Sequence, residues 1–259
     1  MKDKYIKPLE SNTNHSPSLL KQILVIFIIT IIAQLSNLLY STLTEGQDIV
    51  KILLPSLLFL SLTTIPAAGF GIWLGREIGL GTPRLSDLMN KKSDTFKLLQ
   101  QDARMASILG LVIGAMLLVL RIISADFLPP ELPHLGHRGV IGGLLVSIGA
   151  AVGEEVWFRL GLMTILLWLV TRLFGHTEIR PSVAWTIIIL VSFGFGLAHL
   201  PQLLSYGAGS PFAIWGTILG NVVVGVLYGW CYWKRSLFAA IVAHFSVDFV
   251  LHVLPAVVS

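Results

Sequence analysis

Seven long apolar runs, parted by short polar connectors, leave this chain few ways to fold. They cover residues 23–40, 53–74, 106–123, 140–173, 183–199, 212–233 and 237–254. A run of about 20 apolar residues is what a helix needs to cross the hydrocarbon of a bilayer. Inside lipid, every backbone polar group must be satisfied within the protein, so only helices and closed barrels can span it. A barrel would show alternating segments of about 10 residues, not continuous apolar runs. The expected fold is therefore all-α, a polytopic transmembrane helical bundle of seven to eight membrane helices. Composition agrees: 12% of residues are charged, about half the share of a soluble domain.

Run 140–173 is too long for one straight crossing, since it would rise roughly 50 Å against a core of about 30 Å. It must tilt, extend beyond the bilayer, or break near residues 159–161 into two helices. The chain divides into an N-terminal cytoplasmic tail (1–22), N-terminal membrane helices with a basic cytoplasmic loop (23–135, loop 75–105), and a membrane core (136–259) that holds the chemistry. The first run follows Lys2, Lys4, Lys7 and Lys21. It is too long for a cleaved signal and reads as a retained anchor.

Lysine and arginine bias orients the bundle. With the N-terminus cytoplasmic and 140–173 crossing once, the inner side carries the N-terminal lysines together with Arg76, Arg84, Lys91, Lys92, Lys97, Arg104, Arg172, Arg180, Lys234 and Arg235. Only Lys51, Arg121 and Arg138 face outward. The pI near 9.3 then reports topology and affinity for an anionic lipid surface, not nucleic acid. The protein is expected in the plasma (inner) membrane. Loop 75–105 mixes charge with Leu85, Leu88, Met89, Phe96, Leu98 and Leu99, as either an amphipathic helix on the inner leaflet or a solvated connector. The lone Cys231 excludes an intramolecular disulfide and a cysteine-rich metal site.

Ionisable groups interrupt these runs at a few places, and such groups at membrane depth are costly and usually serve a site. Glu154 and Glu155 are followed by Arg159. On an α-helix, neighbours point about 100° apart, so the two carboxylates should not face one cavity centre. Glu155 and Arg159, at i and i+4, share a face. Glu155 is expected to pair with Arg159, leaving Glu154 free to act on water or substrate. His199 ends the fifth run, just before Pro201. His244 and Asp248 share a helix face in the last run, and His252 continues that stripe. Asn221 and Tyr228 are polar but are expected to make packing hydrogen bonds. His15, His134, His137 and His176 lie in polar tails and loops.

Glutamate and histidine can divide the work of hydrolysis, one accepting a proton from water while others stabilise the oxyanion. No cofactor is required by this set. It could also hold a divalent metal such as zinc through Glu154, His199, His244 and Asp248, with an open position for water. No His-Glu-x-x-His motif is present.

The order Glu154-Glu155-x-x-x-Arg159, Phe195-x-x-x-His199, His244-x-x-x-Asp248 resembles the CPBP family of CAAX proteases and bacteriocin-processing enzymes, also called Abi. That family includes the type II CAAX prenyl endopeptidases. The likeness covers roughly 140–254. It implies a helical intramembrane endopeptidase acting on a membrane-associated protein or peptide. Glu154 with His199 would activate water, Glu155 and Arg159 would support the site, and His244 with residue 248 would stabilise the oxyanion. The family has been described both as metalloproteases and as metal-independent glutamate proteases. Prenyl-protease members resemble His-x-x-x-Asn at the third motif, whereas this chain has Asp248. An ionised aspartate cannot donate a hydrogen bond, so it would orient His244, bind a metal, or donate only when protonated. A non-catalytic immunity or partner-binding protein on the same fold is the alternative. A proton-coupled transporter would favour repeated halves, which the sequence lacks.

Overall fold

In the computed structural model, residues 17–258 are described, and among them every regular element is helical. Lys2, Lys4, Lys7, His15 and most of the 1–22 tail lie outside the described residues. The long elements are α1 (Leu19–Thr44), α2 (Ile49–Glu77), α4 (Thr95–Ile123), α5 (Gly139–Glu154), α7 (Pro181–Ala198), α9 (Pro211–Lys234) and α10 (Leu237–Asp248). Shorter helices are α3 (Pro83–Met89), α6 (Thr164–Leu173), α8 (Leu200–Ser205) and α11 (Leu254–Val258). Seven helical stretches among the described residues are long and apolar enough to cross a membrane.

Their ends follow local chemistry. Ser18, Asp48, Ser210 and Ser236 each accept a hydrogen bond from a backbone N–H in the first turn, satisfying donors that a helix start leaves orphaned. Pro181 and Pro211 open α7 and α9, where the missing N–H costs nothing. Ile32, Leu62, Ile108 and Leu219 are among many large apolar side chains left on the outside. Rows of that kind suit a lipid surface.

Without a hydrophobic drive between helices in lipid, close approach is achieved by small residues. A Cβ on Gly110 of α4 would lie 2.5 Å from the Ala243 carbonyl oxygen of α10. Gly225 and Gly229 of α9 back directly onto Ser192 and Ile188 of α7. Gly71 of α2 faces the carbonyl of Leu160 so closely that no Cβ would fit.

Of the three readings of run 140–173, the break near residue 160 is not the one seen: Gly139–Leu173 is one uninterrupted helical stretch of 35 residues. Between α5 and α6 the winding is π-helical over Glu155–Met163, and a second π segment, Phe249–Val253, follows α10. The long connector 75–105 is also shorter than expected, because α4 begins at Thr95 and not near 106. Hydropathy marks where a helix enters lipid, not where it starts, and Lys97, Asp102 and Arg104 lie on its polar extension.

That extension carries a buried clamp. Asp102 is wholly buried and pairs with Arg84 at 3.3 Å and Arg235 at 3.0 Å. It also accepts from the Ser236 hydroxyl at 2.7 Å. One carboxylate thus ties α3, α4 and the α9–α10 corner together.

Candidate active site

Four helical segments converge on the expected residues. Glu154 is the last residue of α5, and Glu155 and Arg159 lie in the π segment after it. His199 stands at the junction of α7 and α8. Pro201 lies in the first turn of α8, so it starts a second short helix after the interruption at His199. His244 and Asp248 are on α10, and Asp248 is its last residue before the second π segment. Both acidic residues that the motifs place at the water and oxyanion ends therefore stand at α-to-π junctions. π turns are rare and are frequent at functional sites.

The pairing of Glu155 with Arg159 is present, Nε to Oε2 at 3.3 Å, with both side chains fully buried. The guanidinium also donates to the Gly225 carbonyl at 3.0 Å. It lies 4.7 Å from the Phe195 ring centroid and 5.3 Å from that of Tyr228. Two aromatic faces and a carbonyl thus replace the hydration that Arg159 gives up, as cation–π contacts can.

Glu155 has a second task that helix geometry did not reveal. Its Oε1 is 2.9 Å from His244 Nδ1. On the other side of the same ring, Nε2 faces Asp248 at 3.5 Å and Glu154 at 3.8 Å. The adjacent glutamates thus do not face one cavity centre, with Glu155 fully buried and Glu154 partly exposed, yet both address one ring. They reach the two nitrogens of one imidazole, and the α-to-π junction falls between them. Tyr228 stacks on His244, centroids 4.4 Å apart and planes 11° apart. Its hydroxyl, expected in a packing hydrogen bond, finds no partner among the described residues. Asn221 does make such a bond, donating to the Thr217 carbonyl at 2.9 Å.

His199 Nδ1 lies 2.8 Å from the Phe195 carbonyl. A carbonyl only accepts, so Nδ1 carries the proton in the neutral ring and Nε2 presents a lone pair. That Nε2 is 3.9 Å from Glu154 Oε2. This separation, like that to His244, exceeds a direct hydrogen bond and is one that a bridging water can span.

Exposure grades across the cluster. The side chains of His199 and Glu154 keep 28% and 23% of their surface, whereas His244 keeps 4% and Asp248 13%. The more exposed edge is thus the Glu154–His199 pair, although Glu154 Oε2 itself is buried with no hydrogen-bond partner among the described residues. Charges also close on balance. Three carboxylates face one guanidinium, so a proton on His244, or on one carboxyl, brings the cluster nearer neutrality, the condition a dry setting favours. A neutral imidazole could donate to a carboxylate on one side only.

No group of three or more His, Cys, Asp or Glu among the described residues is arranged to hold a metal ion. His244 commits Nδ1 to Glu155 and His199 commits Nδ1 to a carbonyl, leaving one nitrogen each. Those are the nitrogens a metal would take, with Glu154 and Asp248 as carboxylate donors, because a ligating histidine usually gives its other N–H to a carboxylate or carbonyl. His252 lies in the second π segment, with its backbone carbonyl against Gly143 of α5.

Sequence reading missed the π winding, the stacking of Tyr228, the second partner of Glu155 and the Asp102 clamp. Only Asp102 carried a signal, as an acidic residue in a basic segment. No curated protein and no solved structure matches the chain. Residues 136–250, which hold every residue of this cluster, match the family model described as type II CAAX prenyl endopeptidase Rce1-like.

Proposed function

We propose that this protein is an intramembrane endopeptidase that hydrolyses a peptide bond in a membrane-associated protein or peptide. The observation that carries the reading is the more exposed Glu154–His199 pair backed by the buried His244, Glu155 and Arg159. The family match over residues 136–250 supports the same reaction class.

Glu154 and the Nε2 lone pair of His199 are both acceptors. A water donating one O–H to each satisfies both and is held for attack. Glu154 takes the proton as the water oxygen bonds to the scissile carbonyl carbon, and the carbonyl becomes an oxyanion. A protonated His244, its Nδ1 fixed by Glu155, presents its Nε2–H to that oxyanion. Asp248 does not donate in this scheme. Its carboxylate faces Nε2 at 3.5 Å, so it orients the ring until the oxyanion takes the Nε2–H. Glu154 then returns its proton to the departing amine as the C–N bond breaks. Arg159 pairs with Glu155 beneath the ring and offsets its charge.

The test is cleavage of a peptide panel, prenylated and plain, by purified protein with and without chelator. Glu154→Gln and His199→Ala should each lower kcat by about 10²–10⁴, the size of a general-base contribution. Their unfolding midpoints should stay near wild type. Full activity in both variants would sink the proposal. Activity lost to chelator and restored by zinc would replace the water-activation scheme with a metal-dependent one. A protein that cleaves nothing, yet whose Glu154→Gln variant still captures a membrane partner, would favour the binding alternative.

A further inference from the structure

A directional chain of hydrogen bonds runs from the α2–α3 turn into the π segment. Thr164 Oγ1 lies 3.1 Å from the Arg159 carbonyl, and a carbonyl only accepts, so the threonine proton goes there. Tyr232 Oη is 2.7 Å from Thr164 Oγ1. The threonine has no second proton, so the tyrosine donates. Gly81 N–H in turn donates to Tyr232 Oη at 3.1 Å. Each hydroxyl gives once and receives once, and Tyr232 and Thr164 are buried.

The two ends of this relay are both fixed. At the far end, Gly81 has φ +88°, a conformation glycine tolerates. It packs so tightly under α2 that a Cβ on Gly75 would come within 2.7 Å of its nitrogen. Next to it, the Thr82 hydroxyl donates to Gln22 Oε1 of α1 at 2.9 Å. At the near end, the Arg159 carbonyl also accepts the Thr164 N–H across five residues. That bond is part of the ladder that defines the π winding. Thr164 is the first residue after the π segment, where the ladder must return to α. The side chain on that same Arg159 holds Glu155, and Glu155 holds His244.

We infer that Thr164 and Tyr232 are positioning residues: their hydroxyls pin the Arg159 carbonyl so that the π segment keeps Glu155 under His244. They touch no substrate, and they act through the backbone that carries Arg159. The inference rests on the hydrolase reading for its effect on rate, but not for its effect on the backbone. Thr164→Val keeps the shape and removes the hydroxyl. Tyr232→Phe cuts two of the three links, those to Gly81 and to Thr164. Thr164→Ser is the conservative rescue.

Two measurements on the full chain in detergent decide it. In Thr164→Val and Tyr232→Phe, backbone amide exchange over residues 159–164 should speed at least tenfold, with α1 unchanged. On a peptide that wild type cleaves, kcat should fall about tenfold with KM within twofold. Thr164→Ser should stay within threefold of wild type in both. If Thr164→Val does not fold, Tyr232→Phe carries the test. Wild-type exchange or wild-type kcat in the variants overturns the inference, because a purely structural bond would leave the turnover of folded enzyme untouched. A wild-type protein that cleaves nothing removes the hydrolase reading alone, and the exchange measurement still decides whether the relay holds the segment.

Discussion

Replacing Arg159 with methionine tests whether the buried ion pair is the keystone of the cluster. Both partners have no exposed surface, so water cannot rescue the carboxylate left behind. Removing one partner of a buried pair typically costs about 3–5 kcal/mol. The substitution also strips a charged donor from the Gly225 carbonyl and two aromatic contacts. These losses overlap with the first and are not added to it. At roughly 2–4 °C per kcal/mol for a chain of comparable size, the unfolding midpoint should drop by roughly ten degrees. Glu155→Gln alone should also destabilise, by leaving the guanidinium unpaired. The double variant should recover most of the loss, since it removes one charge of each sign. The amide oxygen introduced by Glu155→Gln would still offer His244 Nδ1 an acceptor. Heating in detergent with fluorescence detection suits the assay, because the chain holds seven tryptophans. A single-variant cost below about 1 kcal/mol, or a double variant no more stable than Arg159→Met, would refute the reasoning.

Other outcomes follow from packing and charge. Gly110→Ala should cost about 1–3 kcal/mol, because the new Cβ meets the Ala243 carbonyl at 2.5 Å. Gly220→Ala, where nothing lies within 4 Å, is its neutral control in the same melt. Asp102→Ala should lower stability by about 1–3 kcal/mol, toward the low end for a buried carboxylate because Arg84 and Arg235 stay partly hydrated. Asp102→Asn should lose less, since it keeps an acceptor for Ser236. Gly71→Ala should depress cleavage more than it depresses the melting midpoint of the whole bundle. The reason is that its Cβ would push on the Leu160 carbonyl inside the π segment.

Much of the fold was legible because bilayer physics is one-dimensional. An apolar run of sufficient length must be a helix, and each of the seven expected runs overlaps a helical stretch able to cross a membrane. Helix ends were less legible. The polar start of α4 at Thr95 lies beyond what hydropathy can register. Within the site, pairs spaced i and i+4 could be read directly, because Glu155–Arg159 and His244–Asp248 are neighbours on one turn.

What sequence could not supply was which turn faces which. Hydropathy and the cost of burying charge were enough to define an all-helical membrane protein with ionisable groups at a few points in its core region. It is the packing of distant helices that brings both glutamates to one histidine, stacks Tyr228 beneath it, and lets Thr164 and Tyr232 tie the site to the α2–α3 turn. Those contacts join residues far apart in the chain. They depend on glycines that let backbones touch and on a π winding that redirects every side chain after it, and neither leaves a pattern that local spacing can reveal.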